Sequence, residues 1–338
     1  SRGATMRCRV LAIFLGDQRI GHLFQYGDIT RLNVDVAYAT SAAPKMSVVD
    51  EPMEDGFSLS GMQPKLSLVS DGKRFVVTRH FDGGHVIGKL PVASYERLPQ
   101  VEHLSLALAR AAGAHVCAAT LQPMSLIDRQ APLVDGRDDY FLAVQRFDRD
   151  VSASYRGRRH VEDFAQVFGV DPMDKYTGAA YSDVAKIMLD FPGLGEGAVM
   201  ELFRRLAINE LLGNFDMHLK NIGILHTGDG SVALSPAYDI VALSVYVNGN
   251  GHALKFTPDQ EKSQELSPKL VRAFSDATGM AEPRLRAVVR DVCSQALETW
   301  PAMVAASDLL PAQKDRLIAH MMSRPVIRTL LRRQPATG

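Results

Sequence analysis

The chain has 338 residues, of which 46% are hydrophobic and 22% are charged, so it can bury a sizeable core as one large domain or two ordinary ones. Lysine plus arginine equals aspartate plus glutamate at 38 each, and this balance gives no overall field that favours nucleic acid or an anionic membrane. The cysteines Cys8, Cys117 and Cys293 form no ligand-like pair, which argues against a disulfide framework and against a zinc site. No apolar run approaches the length of a membrane span. We therefore expect a globular cytoplasmic protein with no membrane partner.

The first fifty residues predict an accessory segment. Apolar runs at residues 10–15 and 19–24 lie on either side of Gly16 and Asp17, a pattern that is typical of a hairpin. Residues 40–55 are rich in small and acidic residues without periodicity, which predicts a loop or linker before the next module.

The following stretch predicts a small sheet with a small-residue loop in front of it. Residues 56–65 form that loop, and strand-like runs at 66–69 and 74–78 follow it on either side of an Asp71-Gly72 turn. Such a loop can cover phosphate groups through its backbone N–H groups, although the same pattern is common in ordinary turns.

Lys89 lies within a strand-like apolar run, where a cation is unfavourable unless it meets a phosphate or a carboxylate. The alternative is an edge-strand lysine whose ammonium stays in water. A helix pattern begins at Glu102 and continues to residue 112. Glu102 could pair with Lys89 or simply occupy a favourable first turn.

After the strand predicted at residues 140–146, helical patterns dominate the chain. A helix capped by Ser182 and Asp183 is predicted to reach residue 189, and a buried helix over 198–212 ends at Gly213. Further helices are predicted from the Ser267-Pro268 start, over 282–300 and over 311–322. The chain therefore divides into an accessory segment (1–50), a mixed β-rich lobe (51–148) and a mostly helical lobe (149–338).

The most informative stretch lies between the buried helix and a predicted hairpin. Asp216 and Asn221 have the spacing of a phosphotransferase catalytic loop, in which a carboxylate aims a hydroxyl and an amide oxygen holds Mg²⁺. The same pair could instead be a helix cap or an Asx turn. Strands at 222–225 and 231–234, joined by a turn at 228–230, should bring Asn221 close to Asp239. Such convergent oxygen ligands suit Mg²⁺.

Five strings in a fixed order carry a family resemblance: SLSGMQPK at 58–65, KLP at 89–91, RFDR at 146–149, NFDMHLKN at 214–221 and SPAYD at 235–239. Together they resemble the HipA-like serine/threonine kinases of bacterial toxin–antitoxin systems. The resemblance implies an α+β, two-lobed, kinase-like fold that uses ATP and Mg²⁺.

The resemblance also implies residue roles. Asp216 would be the catalytic aspartate, Asn221 and Asp239 would hold the metal, and Ser58 and Ser60 would be autophosphorylated. His218 and Lys220 would flank the transferred phosphate, where positive charge helps transfer. The implied nucleotide-binding residues are Gly61, Met62, Gln63, Pro64, Lys65, Lys89, Gln145, Arg146, Phe147, His218, Leu219, Lys220, Asn221, Tyr238 and Asp239.

Two departures from the family pattern indicate which type of HipA-like kinase this chain resembles. Gln145 stands at a hinge position where many members carry glutamate, and the stretch before Ser58 is short. Full-length HipA proteins have a larger N-terminal subdomain in this place. The short start therefore resembles HipT-type kinases, in which a separate small HipS-like protein supplies that subdomain. Residues 10–24 also resemble its opening hairpin, so a reduced version fused to this chain is the alternative. The implied partners are a HipB-like antitoxin, DNA only through that antitoxin, and an aminoacyl-tRNA synthetase as the phosphorylated target.

Two other functions stay open. A small-molecule kinase of the antibiotic-phosphotransferase type shares the aspartate and asparagine spacing, but it usually carries histidine where this chain has Asn214. A catalytically silent scaffold that binds an antitoxin on operator DNA is disfavoured by the intact Lys89, Asp216, Asn221 and Asp239, because a pseudokinase would be expected to lack one of them.

Overall fold

The structure is a computed structural model that forms two compact units, residues 1–51 and residues 52–338. In the first unit it describes the backbone of residues 9–15, 18–26 and 29–34. In the second it describes residues 63–78, 84–128, 140–149, 157–171, 174–227, 231–261 and 264–332. The predicted lobe boundary within residues 51–338 stays a prediction.

The first unit contains an antiparallel meander of three strands, ordered β1-β2-β3. The strands are β1 (Arg9–Leu15), β2 (Gln18–Tyr26) and β3 (Ile29–Val34). The predicted hairpin is confirmed, while β3 was not predicted. The turn at 16–17 and the linker at 40–55 lie outside the described residues.

The second unit opens with a five-stranded antiparallel sheet in the order β5-β4-β6-β8-β7. Its strands are β4 (Lys65–Ser70), β5 (Phe75–Val77), β6 (Val86–Lys89), β7 (Ala119–Pro123) and β8 (Tyr140–Gln145). The central strand β6 ends at Lys89, which lies opposite Lys65 of β4 and Leu142 of β8. The sheet thus carries Lys89 out of solvent and towards the helix that follows.

Helix α1 (Leu98–Ala111) packs closely against this sheet and starts four residues before the predicted Glu102. Pro99 suits the first turn of a helix because that turn needs no proline N–H. Glu102 therefore lies in the second turn, on a buried face. The Nε1 of Trp300 donates to the Leu108 carbonyl at 3.0 Å, which ties α1 to the helical part of the chain.

A second antiparallel sheet has the order β11-β10-β9, with β9 at Val161–Asp163, β10 at Gly223–His226 and β11 at Val232–Leu234. The predicted hairpin of β10 and β11 is confirmed, and its turn at 228–230 lies outside the described residues. Strand β9 and the short helix α2 (Phe164–Phe168) after it were not predicted. Asp163 ends β9 and caps α2 by accepting a hydrogen bond from the Gln166 N–H at 2.9 Å.

Further helices complete the described part of this unit: α3 (Tyr181–Asp190), α4 (Gly195–Leu212), α5 (Pro268–Thr278), α6 (Glu282–Ala306), α7 (Pro311–Ser323) and α8 (Pro325–Leu331). Ser267 caps α5 as predicted. The predicted cap of α3 by Ser182 is wrong, because Ala180 is the N-cap and Ser182 lies buried inside the helix. Asp183 does contribute to the cap, since it accepts a hydrogen bond from the Ala180 N–H at 3.0 Å. No helix in the described ranges combines the length and apolar character that crossing a membrane requires.

Candidate active site

The loop that carries Asp216 begins where α4 ends. Gly213 terminates α4 with a left-handed backbone, at φ 64°. The Asn214 amide then donates to Asn209 Oδ1 at 3.0 Å, and its Oδ1 accepts from the Asp216 N–H at 3.2 Å. Tyr181 holds the next residue by donating its hydroxyl to the Met217 carbonyl at 2.8 Å. Asp216 therefore sits on a backbone that the buried helices fix in place.

Asn221 closes the same loop. Its Nδ2 donates to the Asp216 carbonyl at 2.8 Å, so the side-chain amide nitrogen is used and the amide oxygen is the atom left for a cation. Between them, the His218 N–H donates to the Asp216 carbonyl at 2.8 Å, and the Asn221 N–H donates to the His218 carbonyl at 2.9 Å. The spacing of Asp216 and Asn221 thus produces a closed loop in which neither residue caps an α-helix.

Lys89 lies between two carboxylates. Its Nζ donates to Glu102 Oε1 and to Asp239 Oδ1, and its side chain is only 6% exposed. The predicted pairing of Lys89 with Glu102 is confirmed, and the edge-strand alternative is wrong. Burial alone would lower the pKa of Lys89, but the carboxylates of Asp239 and Glu102 raise it, so the ammonium is retained. Asp239 itself adopts φ 52°, an uncommon conformation for a residue with a side chain.

Lys89, Glu102 and Asp239 line a narrow cavity. Its volume of about 20 Å³ has room for little more than one water or one ion. Lining it are Gln63, Lys89, Leu98, Glu102, Asn214, Asp216, Asp239, Val241 and Leu243. The structure therefore brings Lys89, Asp216 and Asp239 together, whereas Asn221 does not line this space. A larger cavity of about 520 Å³, between residues 244–250 and α7, contains none of the predicted site residues.

The predicted hinge is linked to the catalytic loop through aromatic side chains. The rings of Phe147 and Tyr238 lie 5.7 Å apart, and the Tyr238 hydroxyl donates to the Lys220 carbonyl at 2.8 Å. Gln145 ends β8 and donates its N–H to the Ala118 carbonyl at 2.8 Å. The side chain of Arg146 is bound to Asp148 and contributes no contact to this link. Its Nε and Nη2 donate to the two oxygens of Asp148 at 3.0 and 2.8 Å.

The remaining predicted residues fall into three groups. Gln63, Pro64 and Lys65 lead into β4 beside Lys89, and Gln63 Nε2 donates to the Leu90 carbonyl at 2.9 Å. Leu219 is part of the core. Ser58, Ser60, Gly61 and Met62 lie outside the described residues.

His218 is buried, and neither ring nitrogen has a hydrogen-bond partner within the described part of the chain. Burial first, and the nearby Lys175 ammonium second, lower the pKa of His218 to about 3. A pKa this low favours a neutral imidazole at pH 7, and the implied role of His218 beside the transferred phosphate stays a prediction. Lys220 lies within the same loop and is half-buried.

Two residues beside Asp216, Lys175 and Tyr176, were not predicted. Tyr176 donates its hydroxyl to Asp216 Oδ1 at 2.5 Å, and its ring lies edge-on to the His218 ring at 5.1 Å. Lys175 is buried, which lowers its pKa, while the Asp216 carboxylate opposes that change. Both stand in a short loop without a repeating spacing, so only the tertiary fold brings them to Asp216.

The chain is similar to known proteins over most of its length. Residues 57–300 match the family model described as the HipA-like C-terminal domain. The Sinorhizobium fredii protein Y4dM, a kinase candidate by its name, is 30% identical over 249 residues, which cover 73% of this chain and 59% of that protein. The serine/threonine-protein kinase toxin HipA of Shewanella oneidensis is 26% identical over 251 residues, which cover 68% of this chain and 54% of that protein. The chain thus spans about half to three-fifths of the length of these curated relatives.

Solved structures share the fold. A chain of the toxin–antitoxin complex of HipA, HipB and operator DNA from Shewanella oneidensis MR-1 superposes with a TM-score of 0.64 and 20% identity, covering 86% of this chain and 70% of that chain. The Helicobacter pylori proinflammatory kinase CtkA superposes with a TM-score of 0.54 and 12% identity, covering 78% and 89%. The predicted α+β, kinase-like fold is confirmed.

Proposed function

Because the chain belongs to the family of the HipA-like C-terminal domain, we propose that it is an ATP- and Mg²⁺-dependent protein serine/threonine kinase. The observation that carries the proposal is the cavity in which Lys89, Asp216 and Asp239 meet, although they come from distant parts of the chain. Chance placement would not give a buried lysine two carboxylate partners beside a third carboxylate. This set of groups matches what phosphoryl transfer requires.

In the proposed reaction, the Asp216 carboxylate orients a substrate hydroxyl and accepts its proton. The hydroxyl oxygen forms a bond to the γ-phosphorus of ATP as the bond to the β–γ bridging oxygen breaks, and ADP leaves. Lys89 neutralises the phosphates from its fixed position between Glu102 and Asp239. Pre-organised charge of this kind lowers the barrier because it costs no reorganisation during transfer.

The residues present fit Mg²⁺. Among the residues that line the cavity, Glu102, Asp216 and Asp239 supply three carboxyl groups and Lys89 an ammonium, and Glu102 Oε2 is a buried oxygen without a hydrogen-bond partner in the described residues. Hard oxygen donors in excess over cations suit this ion. Asp239 and the amide oxygen of Asn221 would hold it. When bound, it would supply charge neutralisation to the triphosphate.

The biological proposal is a cytoplasmic toxin of a type II toxin–antitoxin system, with a HipB-like antitoxin, a HipS-like protein as a further partner and an aminoacyl-tRNA synthetase as target. The similarity to a toxin named HipA supports the antitoxin part of this proposal. The target and the HipS-like partner come from the family resemblance. The zero net charge supports DNA contact through the antitoxin rather than through this chain.

Autoinhibition is a further part of the proposal. A phosphoserine carries a charge of roughly −1.5 to −2, so phosphate on Ser58 or Ser60 would repel the triphosphate of ATP. Ser58→Asp and Ser60→Asp variants should therefore bind ATP more weakly than the parent, as measured by calorimetric titration. Equal ATP affinity and equal substrate phosphorylation would contradict autoinhibition.

The decisive experiment for the kinase proposal is the intact mass of the dephosphorylated protein after incubation with ATP and Mg²⁺. We expect added phosphate on Ser58 or Ser60 in the parent and in Asp190→Asn, an exposed control at the end of α3, but not in Asp216→Asn. No added phosphate in the parent would contradict autophosphorylation. Turnover of a small alcohol substrate would then favour a small-molecule kinase, and the absence of ATP binding would favour a silent scaffold.

A further inference from the structure

A cluster of two histidines and one glutamate lies on the sheet of β9 and β10, apart from the proposed phosphotransfer residues. Glu162 belongs to β9, His160 stands two residues before it, and His226 ends β10. Ile224 pairs with Glu162, and the His226 N–H donates to the His160 carbonyl at 2.8 Å. Because side chains two residues apart share a face of a strand, all three side chains lie on the same face.

The three potential ligand atoms are close to the spacing of a tetrahedral metal site. His226 Nε2 lies 2.9 Å from Glu162 Oε2, and His160 Nε2 lies 3.8 Å from the same oxygen. All three ligand atoms lie within 4.8 Å of one another. Bonds of about 2.0–2.2 Å in a tetrahedron place ligand atoms about 3.3–3.6 Å apart. Movements of about 1 Å or less in each side chain would therefore suffice.

Burial makes this cluster unlike a solvated group of charges. The side chain of Glu162 is 5% exposed, that of His226 is 13% exposed and that of His160 is 23% exposed. His160 Nε2 is buried and has no hydrogen-bond partner among the described residues. A buried nitrogen without a hydrogen-bond partner is unfavourable, and coordination to a metal would satisfy it.

A second histidine–glutamate pair in the chain shows what a purely structural contact looks like. His252 Nε2 lies 2.9 Å from Glu210 Oε2, and both side chains are 1% exposed. Across the residues that the structure describes, this pair belongs to no group of three metal ligands, whereas the pair of His226 and Glu162 has His160 as a third member. The additional imidazole is the feature that a simple hydrogen bond does not require.

We propose that His160, Glu162 and His226 bind one Zn²⁺ ion. Two imidazoles and a carboxylate suit zinc rather than Mg²⁺ or Ca²⁺, and three protein ligands leave a fourth position for water. The spacing of the cysteines predicted no zinc site, and this proposal departs from that prediction because its ligands are two histidines and a glutamate. The ion would tie the segment before β9 to the end of β10. At about 3.3 Å per residue, His226 lies about 10 Å along the strand from Gly223, so this site is separate from Asn221.

The test uses the full chain without a polyhistidine tag. The protein is stripped of metal and kept in excess Mg²⁺, so that the proposed Mg²⁺ site at Asn221 and Asp239 does not take up zinc. Zn²⁺ is titrated in competition with a chromophoric chelator. We expect one equivalent to bind and the Tm to rise. His160→Asn, Glu162→Gln and His226→Asn should each weaken zinc binding at least about tenfold and reduce the rise in Tm. His115→Gln, at an exposed histidine outside the cluster, should behave like the parent.

His160→Asn is the key variant because His160 is the most exposed of the three ligands, and its circular dichroism should match that of the parent. Co²⁺ provides the second readout, since a tetrahedral site gives intense visible absorption that the three variants should lose. Zinc affinity that is unchanged in His160→Asn and Glu162→Gln, or no binding by the parent, would overturn the proposal. Neither result depends on kinase activity.

Discussion

At the residue scale, Tyr176 is hydrogen-bonded to the Asp216 carboxylate, which the proposed reaction needs for the substrate hydroxyl. Its hydroxyl donates to Asp216 Oδ1 at 2.5 Å, while its ring rests against His218. An incoming serine hydroxyl would donate to the same carboxylate. Tyr176 therefore competes with a substrate hydroxyl for Asp216 Oδ1.

Tyr176→Phe should increase kcat/KM for protein phosphorylation by about tenfold, because a hydrogen bond to a charged group is worth about 1.5–3 kcal/mol and part of that is regained from water. Steady-state kinetics with a phosphorylatable protein would measure it. Tyr181→Phe is the matched control, because Tyr181 also donates to this loop, at the Met217 carbonyl, without contacting Asp216. A decrease in kcat for Tyr176→Phe alone would show instead that the hydroxyl helps to orient Asp216.

Lys89 should matter for stability as well as for activity. Lys89→Met leaves Glu102 and Asp239 without their shared cation, and loss of one partner from a buried ion pair costs about 3–5 kcal/mol. The double variant Lys89→Met/Glu102→Gln removes one of the two carboxylate charges that the single variant leaves without a cation. It should regain at least about half of the lost free energy of unfolding in urea titrations, while phosphorylation stays absent. A double variant as unstable as the single one would contradict this account.

His218 should make the protein sensitive to acid. Its pKa in the folded state is about 3, against an ordinary value of 6.5, so below pH 6.5 the unfolded chain binds a proton that the folded chain does not. Stability is therefore lost as the pH falls from 6.5 towards 3, by up to about 5 kcal/mol at about 1.4 kcal/mol for each pH unit.

Urea unfolding of the parent and of His218→Asn at several pH values between 7 and 4 would measure this effect. The stability of the parent should fall more steeply than that of the variant. The exposed His115→Asn should follow the parent. Parallel curves for the parent and His218→Asn would show that His218 does not titrate in this way.

At the element scale, the end of α4 determines where the Asp216 loop begins. Gly213 has φ 64°, and a Cβ there would lie 2.7 Å from Ser244 Cβ and 2.8 Å from His320 Nε2. Gly169 ends α2 with nearly the same φ of 63°, but a Cβ there would meet nothing within 4 Å. The two glycines share a backbone requirement and differ in their surroundings.

Gly169→Ala should therefore cost about 1–2 kcal/mol of stability, the price of a left-handed backbone for alanine. Gly213→Ala should cost clearly more and should also lower phosphorylation, since relief of the clash moves the loop that follows α4. Thermal unfolding and a phosphorylation assay on both variants would compare them. Equal losses in the two variants would show that only the backbone conformation matters.

The element boundaries show how far the sequence can predict this fold. The Ser267-Pro268 start of α5 was predictable because its cap and proline are local signals. The prediction for α6 stopped at Trp300, although the helix continues through Pro301 to Ala306. Buried contacts on the far side of that proline, such as Val304, override its local cost.

The candidate site divides in the same way. Lys89, Asp216 and Asp239 were predictable because each lies in a string with a fixed spacing. Tyr176 and Lys175 were not, since their proximity to Asp216 comes only from the packing of a short loop against residues 40 positions later. The charge state of His218 could not be predicted from the sequence either, because its pKa is lowered by burial in the fold.

At the scale of the whole molecule, the second unit holds all described site residues and the matched residues 57–300. A chain of residues 52–338 should therefore unfold cooperatively, with a Tm within about 4 °C of the parent, as measured by circular dichroism. Removal of residues 307–338 as well should abolish that transition, because Leu317, Met321 and Ile327 belong to the core. Loss of cooperative unfolding in residues 52–338 would show that the first unit is needed for stability.

The bond between Trp300 and the Leu108 carbonyl has an optical consequence. The chain contains one tryptophan, and it is fully buried where α6 meets α1, the helix that carries Glu102. Its fluorescence therefore comes from a single, known position without any labelling. A shift in emission when ATP and Mg²⁺ are added would report movement of α1 against α6, in real time and in the unmodified protein.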